Sequence, residues 1–588
     1  MSNSFPLLLL LIIITVIVKI NAYSTVVDDY VRHDFPPHFV FGSGTSAYQV
    51  EGAVLEDGRT FSIWDTFAHQ GYYNGANADV ACDGYHKYKE DIQLMADTGL
   101  EAFRFSISWS RLIPNGRGSI NLKGLQYYND FINKLISHGI QPHVTLHHDD
   151  IPQILEDEYG GWLSRKAVND FVAYADVCFK EFGGYDLGFL PPGRCSYPFG
   201  SNCTKGDSTS EPYIVAHHLL LAHASTVNLY RKKYKATQHG FVGINIFAYW
   251  YEPYSNTIED VKATQRANDF YVGWFLNPLV NGDYPEIMKK NAGSRIPNFT
   301  KQESEKIKGS FDFLGINHYN TLYVKDNPNS LEMEIRDLNA DMAATLIFNE
   351  TGIHPTQFEV NPLGLQKLLN YLKETYGNPP IYIHENGQVQ PRNGTLIDTV
   401  RVEYLHAYIG ALLDALRNGS NTMGYFVWSF LDLFELFDGY NTGYGLYFVD
   451  LDDKELTRYP KLSAHWYAVV LMVTPHLNHT LLLTIYCWHM HQQILNPLVY
   501  GDYPEIMKKN AGNRIPSFTK LESERIKGSF DFFGINHYST IYIKDNPSSL
   551  EMEIRDFSAD MAVTHNGSAL TPSQIENMNE FLSSPQTS

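Results

Sequence analysis

At 588 residues, with 44% apolar and 14% aromatic side chains, the chain has the material for a large buried core and not the composition of a disordered protein. Its formal charge of −20 repels polyanions, which argues against nucleic acid or an anionic membrane as partner and leaves neutral small molecules as natural ligands. Five Cys without a CxxC pair, and no HExxH, argue against a zinc site; no metal or cofactor is expected.

Residues 1–22 open with the apolar run Leu7 to Val18, short for a membrane span, followed by Ile20-Asn21-Ala22 as small residues for cleavage. They read as a signal peptide, so no membrane attachment is expected after cleavage. An uncleaved anchor is the alternative, because no Lys or Arg precedes Lys19. Sequons at Asn202, Asn298, Asn349, Asn393, Asn418, Asn478 and Asn566 agree with a secretory route to the apoplast or a vacuole. Cys195 and Cys203 flank a short loop and lie close enough in sequence to form a disulfide in an oxidising compartment.

From residue 39 to 470, short β-branched or aromatic runs alternate with amphipathic helical stretches, the pattern of parallel strands wrapped by helices. The expected fold is an α/β barrel of the (β/α)8 TIM type, occupying 23–470. Strands are predicted at Phe39–Gly44, Phe103–Trp109, Gln141–His148, Val242–Tyr249, Phe311–Tyr319, Pro380–Glu385 and Met423–Phe430. Their C-terminal edges carry Gln49, His148, Asn317, Glu385 and Trp428, and in such a barrel those edges hold the chemistry.

An eighth strand is due between His148 and Val242. There the helical spacing of Val168, Phe171, Val172, Ala175, Cys178, Phe179 and Phe182 runs straight into Gly183-Gly184-Tyr185, with no strand after it. The Pro-, Gly- and Ser-rich loop Gly188–Asp207 leads to a helix over Pro212–Tyr234, whose His217, His218 and His223 read as packing residues. A segment is missing near 183–184.

Residues 495–564 repeat 276–345 at an offset of 219, with 57 of 70 positions identical. One partial copy of a βα unit is too little for a solenoid, which needs about three repeats. The copy includes Asn536 and Tyr538, equivalents of Asn317 and Tyr319, but no second nucleophile segment. The joining stretch 471–494 has no turn, cap or periodic logic, which points to a fused reading frame, and 565–588 is expected to be a disordered tail.

Glu385 ends the apolar strand Ile381-Tyr382-Ile383 and precedes Asn386-Gly387, where the chain can turn beneath a ligand. Alone, that pentapeptide would be an ordinary strand end. In company it is more, because Phe39-Val40-Phe41-Gly42-Ser43-Gly44-Thr45-Ser46-Ala47-Tyr48-Gln49-Val50-Glu51-Gly52-Ala53 resembles the N-terminal signature of glycoside hydrolase family 1. Further similar segments follow in the family's order: Phe103–Arg111, Tyr159–Trp162, Gly315–Tyr319, Ile383–Gly387 and Trp428–Glu435. The loop from Cys195 to Cys203 resembles plant β-glucosidases in particular.

The resemblance implies a retaining β-glucosidase that releases terminal β-D-glucosyl residues from small glycosides. Glu385 would be the nucleophile, and Arg104 and Tyr319 would keep its carboxylate charged. Gln49, His148, Asn317 and Glu435 would bond sugar hydroxyls, with Trp428 as the platform under the ring.

One element of the family is absent. Its acid/base Glu comes from a Thr-x-Asn-Glu-Pro motif ending the fourth strand, and this chain has no such motif where the eighth strand is also missing. Nearby carboxylates such as Glu156, Glu158 and Glu181 could be proposed as substitutes, but they fall in a loop or on a helix. Asp149 also stands where the family has an aromatic, and Leu436 where it has Trp. The expectation is therefore an impaired hydrolase, with a catalytically inactive sugar-binding pseudoenzyme or a non-functional product as the alternative, and a thioglucosidase as a third reading.

Overall fold

The structure is a computed structural model that describes residues 30–181, 187–188, 194, 196, 205–347, 360–392 and 396–471, and parts of the stretch after 473: 497, 501–503, 508, 515–527, 542–545 and 563–566. The chain divides into two compact units at Val473/Thr474.

Among the described residues, the first unit is built on a sheet of seven parallel strands. These are β1 (Val40–Gly44), β2 (Ala102–Ser106), β3 (Gln141–Thr145), β4 (Gly243–Phe247), β5 (Phe313–Asn317), β6 (Ile381–Asn386) and β7 (Thr422–Trp428). Each falls within or beside a strand predicted from sequence. Their spatial order is β3-β2-β1-β7-β6-β5-β4, so sheet neighbours are chain neighbours except where β1 meets β7 and closes one side of the ring, while β3 and β4, consecutive in the chain, end the sheet on either side.

Helices cover the sheet, as parallel strands buried on both faces require. The principal ones are α1 (Gly84–Thr98), α2 (Leu122–Ser137), α3 (Lys166–Glu181), α4 (Glu211–Lys233), α5 (Ile258–Asn281), α6 (Pro362–Tyr376), α7 (Thr399–Arg417) and α8 (Leu462–Leu471). α2 shows the local logic. Asn121 caps it by accepting from the Lys123 N–H, and Tyr128, Phe131, Ile132 and Leu135 recur at i, i+3, i+4 and i+7 to form its buried stripe. Burying a side chain such as Leu135 fully contributes about 1.5–3 kcal/mol. The three His of α4 each bond a different neighbour, namely Tyr284, the Trp162 carbonyl and the Ser310 carbonyl, and so belong to packing.

Between β3 and β4 no strand of ordinary length joins the sheet among the described residues. The expectation of no strand there needs one correction: Leu187–Gly188 forms a two-residue strand, parallel to His147–His148. Two rungs are far short of the five that β4 makes with β5. Among the described residues, no ladder of the kind a full strand would supply joins β3 on one side and β4 on the other.

The second unit reproduces local features of 276–345. Helix Lys520–Ile526 lies 219 residues beyond helix Lys301–Ile307, and Thr519 caps it onto Glu522 as Thr300 caps onto Glu303. The antiparallel pairing Tyr542–Asp545 with Val563–Asn566 has the register of Tyr323–Asp326 with Ala344–Ile347, rung for rung. Asn536, Tyr538 and the joining stretch 474–494 lie outside the described residues, as do Cys195, Cys203, Asn202, Asn349, Asn393 and Asn478. Asn298 and Asn418 are exposed. No described helix is long and apolar enough to cross a membrane.

Candidate active site

The C-terminal ends of the strands carry the residues singled out from sequence. Gly44, the last residue of β1, is in register with Arg104 of β2 on one side and Trp428 of β7 on the other. Across the ring, Glu385 of β6 is in register with Asn317 of β5. Tyr319 follows β5, His148 follows β3, and Glu435 lies in the loop after β7.

Glu385 is held at both oxygens. A guanidinium nitrogen of Arg104 bonds Oε1, and the Tyr319 hydroxyl donates to Oε2 at 2.8 Å. Arg104 is aimed by a second bond from its Nε to Thr145 Oγ1 at 3.1 Å. All three residues are buried. Burial, and then the Glu385 charge, push the Tyr319 phenol well above its ordinary value, so it remains a proton donor.

Around this centre, His148 is half-buried and its ring stacks against the Trp428 indole, 6.0 Å between centroids at 13°. Desolvation, then the Arg104 charge, hold its imidazole well below the usual range, so it is neutral. Gln49 donates to the Phe434 carbonyl at 2.8 Å and accepts from Ser46 Oγ at 2.7 Å. Glu435 is buried with Oε1 unpartnered in the fold, an orphan that a polar ligand would satisfy. Burial, and then Asp432, push its carboxyl well above the ordinary range. Both Glu385 and Glu435 act electrostatically on Tyr319 and Tyr444, helping to raise both phenols after burial.

Gly387 turns the chain just past Glu385. A Cβ there would lie 1.8 Å from the Trp428 carbonyl oxygen, so only glycine lets the two strand ends approach. Asn386, just before it, is locked by bonds to the His318 carbonyl, Tyr404 and Tyr425.

Beneath the centre is a buried polar chain that sequence reasoning missed: His143, His384, Asn245 and Asn317, from β3, β6, β4 and β5. Its one signal in the sequence is a polar residue inside each apolar run, Asn245 in Gly243-Ile244-Asn245-Ile246 and His384 in Ile383-His384. Desolvation, then Arg104, lower His143 to about 3 and His384 well below its ordinary value.

The carboxylates near the gap in the sheet are engaged elsewhere. Glu156 faces Arg194 and Lys205 at 3.8 and 3.9 Å, and Glu158 pairs with Arg117 on the surface. The Glu181 side chain lies outside the described residues. Asp149 is buried with a left-handed backbone (φ 60°), and Leu436 is half-buried, its carbonyl accepting from Tyr73. No group of three or more His, Cys, Asp or Glu that could hold a metal occurs among the described residues.

A parallel barrel with a gripped carboxylate at its C-terminal rim defines a glycoside-hydrolase type of site. The model of glycosyl hydrolase family 1 matches residues 31–474 and again 484–580, and the chain belongs to that family as a glycosyl hydrolase of the β-glucosidase kind. It is 55% identical to β-glucosidase 11 of Arabidopsis thaliana over 81% of this chain and 98% of that protein. It is also 52% identical to an acyl-glucose-dependent cyanidin 3-O-glucoside 7-O-glucosyltransferase of Delphinium grandiflorum, over 75% of this chain and 90% of that one. Among solved structures, a rice β-glucosidase superposes with a TM-score of 0.72 at 44% identity, covering 76% of this chain and all of that one. A mutant of the same rice enzyme has been solved in covalent complex with glucose.

Proposed function

We propose that Glu385 attacks the anomeric carbon of β-D-glucosyl groups in small glycosides, breaking the bond to the aglycone oxygen, which leaves as an anion and takes its proton from water, and forming a covalent glycosyl-enzyme that a second water then hydrolyses to glucose and free Glu385. The observation that carries this is the two-sided hold on Glu385 by Arg104 and Tyr319. It orients both oxygens, so the attack needs no rearrangement of the nucleophile. His148, Asn317, Gln49 and Glu435 would bond the sugar hydroxyls, and Trp428 would lie under the ring.

The second half of a retaining mechanism is a proton donor about 5–5.5 Å from the nucleophile. The sequence has no Thr-x-Asn-Glu-Pro segment, and among the described residues of that interval the strand structure is the two-residue pairing of Leu187–Gly188 with His147–His148, apart from the main sheet. Positioned acid catalysis contributes roughly 10²–10⁴-fold, so ordinary alkyl glucosides would be slow substrates by about that factor. That same observation favours the second reading, a sugar-binding protein that keeps the pocket without turnover.

The experiment is release of 4-nitrophenol from its β-glucoside, with covalent trapping by a 2-deoxy-2-fluoroglucoside. Release and trapping at residue 385, both abolished in Glu385→Gln, support the hydrolase. Binding of glucose without trapping supports the second reading. Cleavage of a signal peptide after residue 22, a Cys195–Cys203 disulfide and glycosylation at the exposed Asn298 and Asn418 complete the proposal for a secreted protein.

A further inference from the structure

The buried chain under the site has a directionality that can be worked out donor by donor. Asn245 Nδ2 donates to Asn317 Oδ1 at 2.6 Å. The other end of the Asn245 amide is therefore an acceptor, and it faces His384 Nδ1 at 3.0 Å. His384 Nδ1 must carry the proton. A neutral imidazole has one N–H, so His384 Nε2 presents a lone pair, and it faces His143 Nδ1 at 3.2 Å, which supplies the next proton. Turning over either amide sets two donors or two acceptors against each other, so each member fixes the next.

The backbone leaves room for this. Gly315 is in register with Asn245 in the β4–β5 ladder. A Cβ at 315 would lie 2.2 Å from Asn245 Oδ1 and 2.5 Å from His384 Nδ1, cutting the link between them. Asn317 is two residues further along β5, on the same face by the strand's period, and in register with Glu385.

We propose that His143, His384 and Asn245 are positioning residues that lock the Asn317 amide with its oxygen turned inward to Asn245, leaving its nitrogen as a fixed hydrogen-bond donor to one hydroxyl of the bound sugar. The proposal rests on the reading of Asn317 as a sugar contact. It makes the site selective for an acceptor at that hydroxyl: a sugar lacking it forfeits the bond, and the donor then has no partner. Loosening the chain frees the amide to rotate, which weakens that one bond and no other.

The test is a double-mutant cycle with Asn245→Ala and Asn317→Ala, measured on an aryl β-glucoside and its monodeoxy counterparts. Asn245→Ala is expected to lower kcat/KM for the glucoside roughly tenfold. It should have no effect on the monodeoxy substrate to which Asn317→Ala is also indifferent, and the double variant should match Asn317→Ala alone. Additive losses, or an equal loss on every substrate, would show a merely structural role and overturn the proposal. A wild-type chain that releases no aryl group would instead sink the functional reading. In that case ¹⁵N-histidine spectra of the wild-type protein decide the question without a variant, the proposal requiring a neutral His384 protonated at Nδ1. A proton on Nε2 would overturn it.

Discussion

Arg104 in β2 bonds Glu385 in β6, although the two strands never pair and are separated in the sheet by β1 and β7. The contact spans the interior of the ring and is buried at both ends. Removing one partner of such a pair leaves an uncompensated charge, which costs about 3–5 kcal/mol. Arg104→Met should lower the urea midpoint accordingly and abolish aryl glucoside release. Arg104→Lys should lose less stability, because it keeps the charge while losing the bond to Thr145.

Glu435 gives the stability curve a signature at its acid end. An unfolded Glu titrates near 4.3 and the buried Glu435 well above its ordinary value, so over that interval the folded state holds the extra proton. Stability from this group is present below pH ~4.3 and falls as pH rises through the folded value. Thermal midpoints measured across pH should therefore show Glu435→Gln gaining on the wild type as pH increases. Parallel curves would place the proton elsewhere.

His318 and His143 act in the opposite sense. Burial lowers them to about 4 and about 3, against about 6.5 in an unfolded chain, so below pH ~6.5 the unfolded state binds more protons. Stability should fall steadily from pH ~6.5 towards 4. His318→Gln should show a shallower fall, read as a smaller difference between denaturant midpoints at pH 7 and pH 5.

Gly387→Ala should be far more damaging than its one methyl suggests. Its Cβ would run into the backbone carbonyl of Trp428, which no side-chain rotation can relieve. We expect loss of activity by at least about tenfold with a reduced melting temperature, a backbone shift costing typically 1–3 kcal/mol. Gly309→Ala, where the Cβ meets nothing within 4 Å but φ is +72°, serves as the control for strain alone.

The proposed lack of a catalytic acid predicts a steep dependence on the leaving group. Nitrophenyl glucosides should exceed alkyl glucosides by about the 10²–10⁴-fold that acid catalysis otherwise supplies, and azide should speed turnover by replacing base-assisted attack of water. Inserting a strand that ends in Thr-x-Asn-Glu-Pro between Glu181 and Leu187 should restore alkyl glucoside cleavage and remove the azide effect. An unmodified chain that cleaves alkyl and nitrophenyl glucosides equally would mean that another group supplies the proton.

Sequence alone placed the seven strands, because period and turn residues are local properties of the chain, and the order of its motifs carried the resemblance from which the role of Glu385 and the want of a Thr-x-Asn-Glu-Pro segment were read. It also determined the repeat at an offset of 219 residues. Tertiary structure decided what surrounds those residues. The bond between Arg104 and Glu385, the stacking of His148 on Trp428 and the chain from His143 to Asn317 join segments 72 to 281 residues apart. Asn245 and His384 looked like interruptions of apolar strands, and only the ring brings them into one hydrogen-bonded chain. The two-residue strand at Leu187–Gly188 was equally illegible, since two residues carry no period and their pairing depends wholly on where His147 and His148 lie.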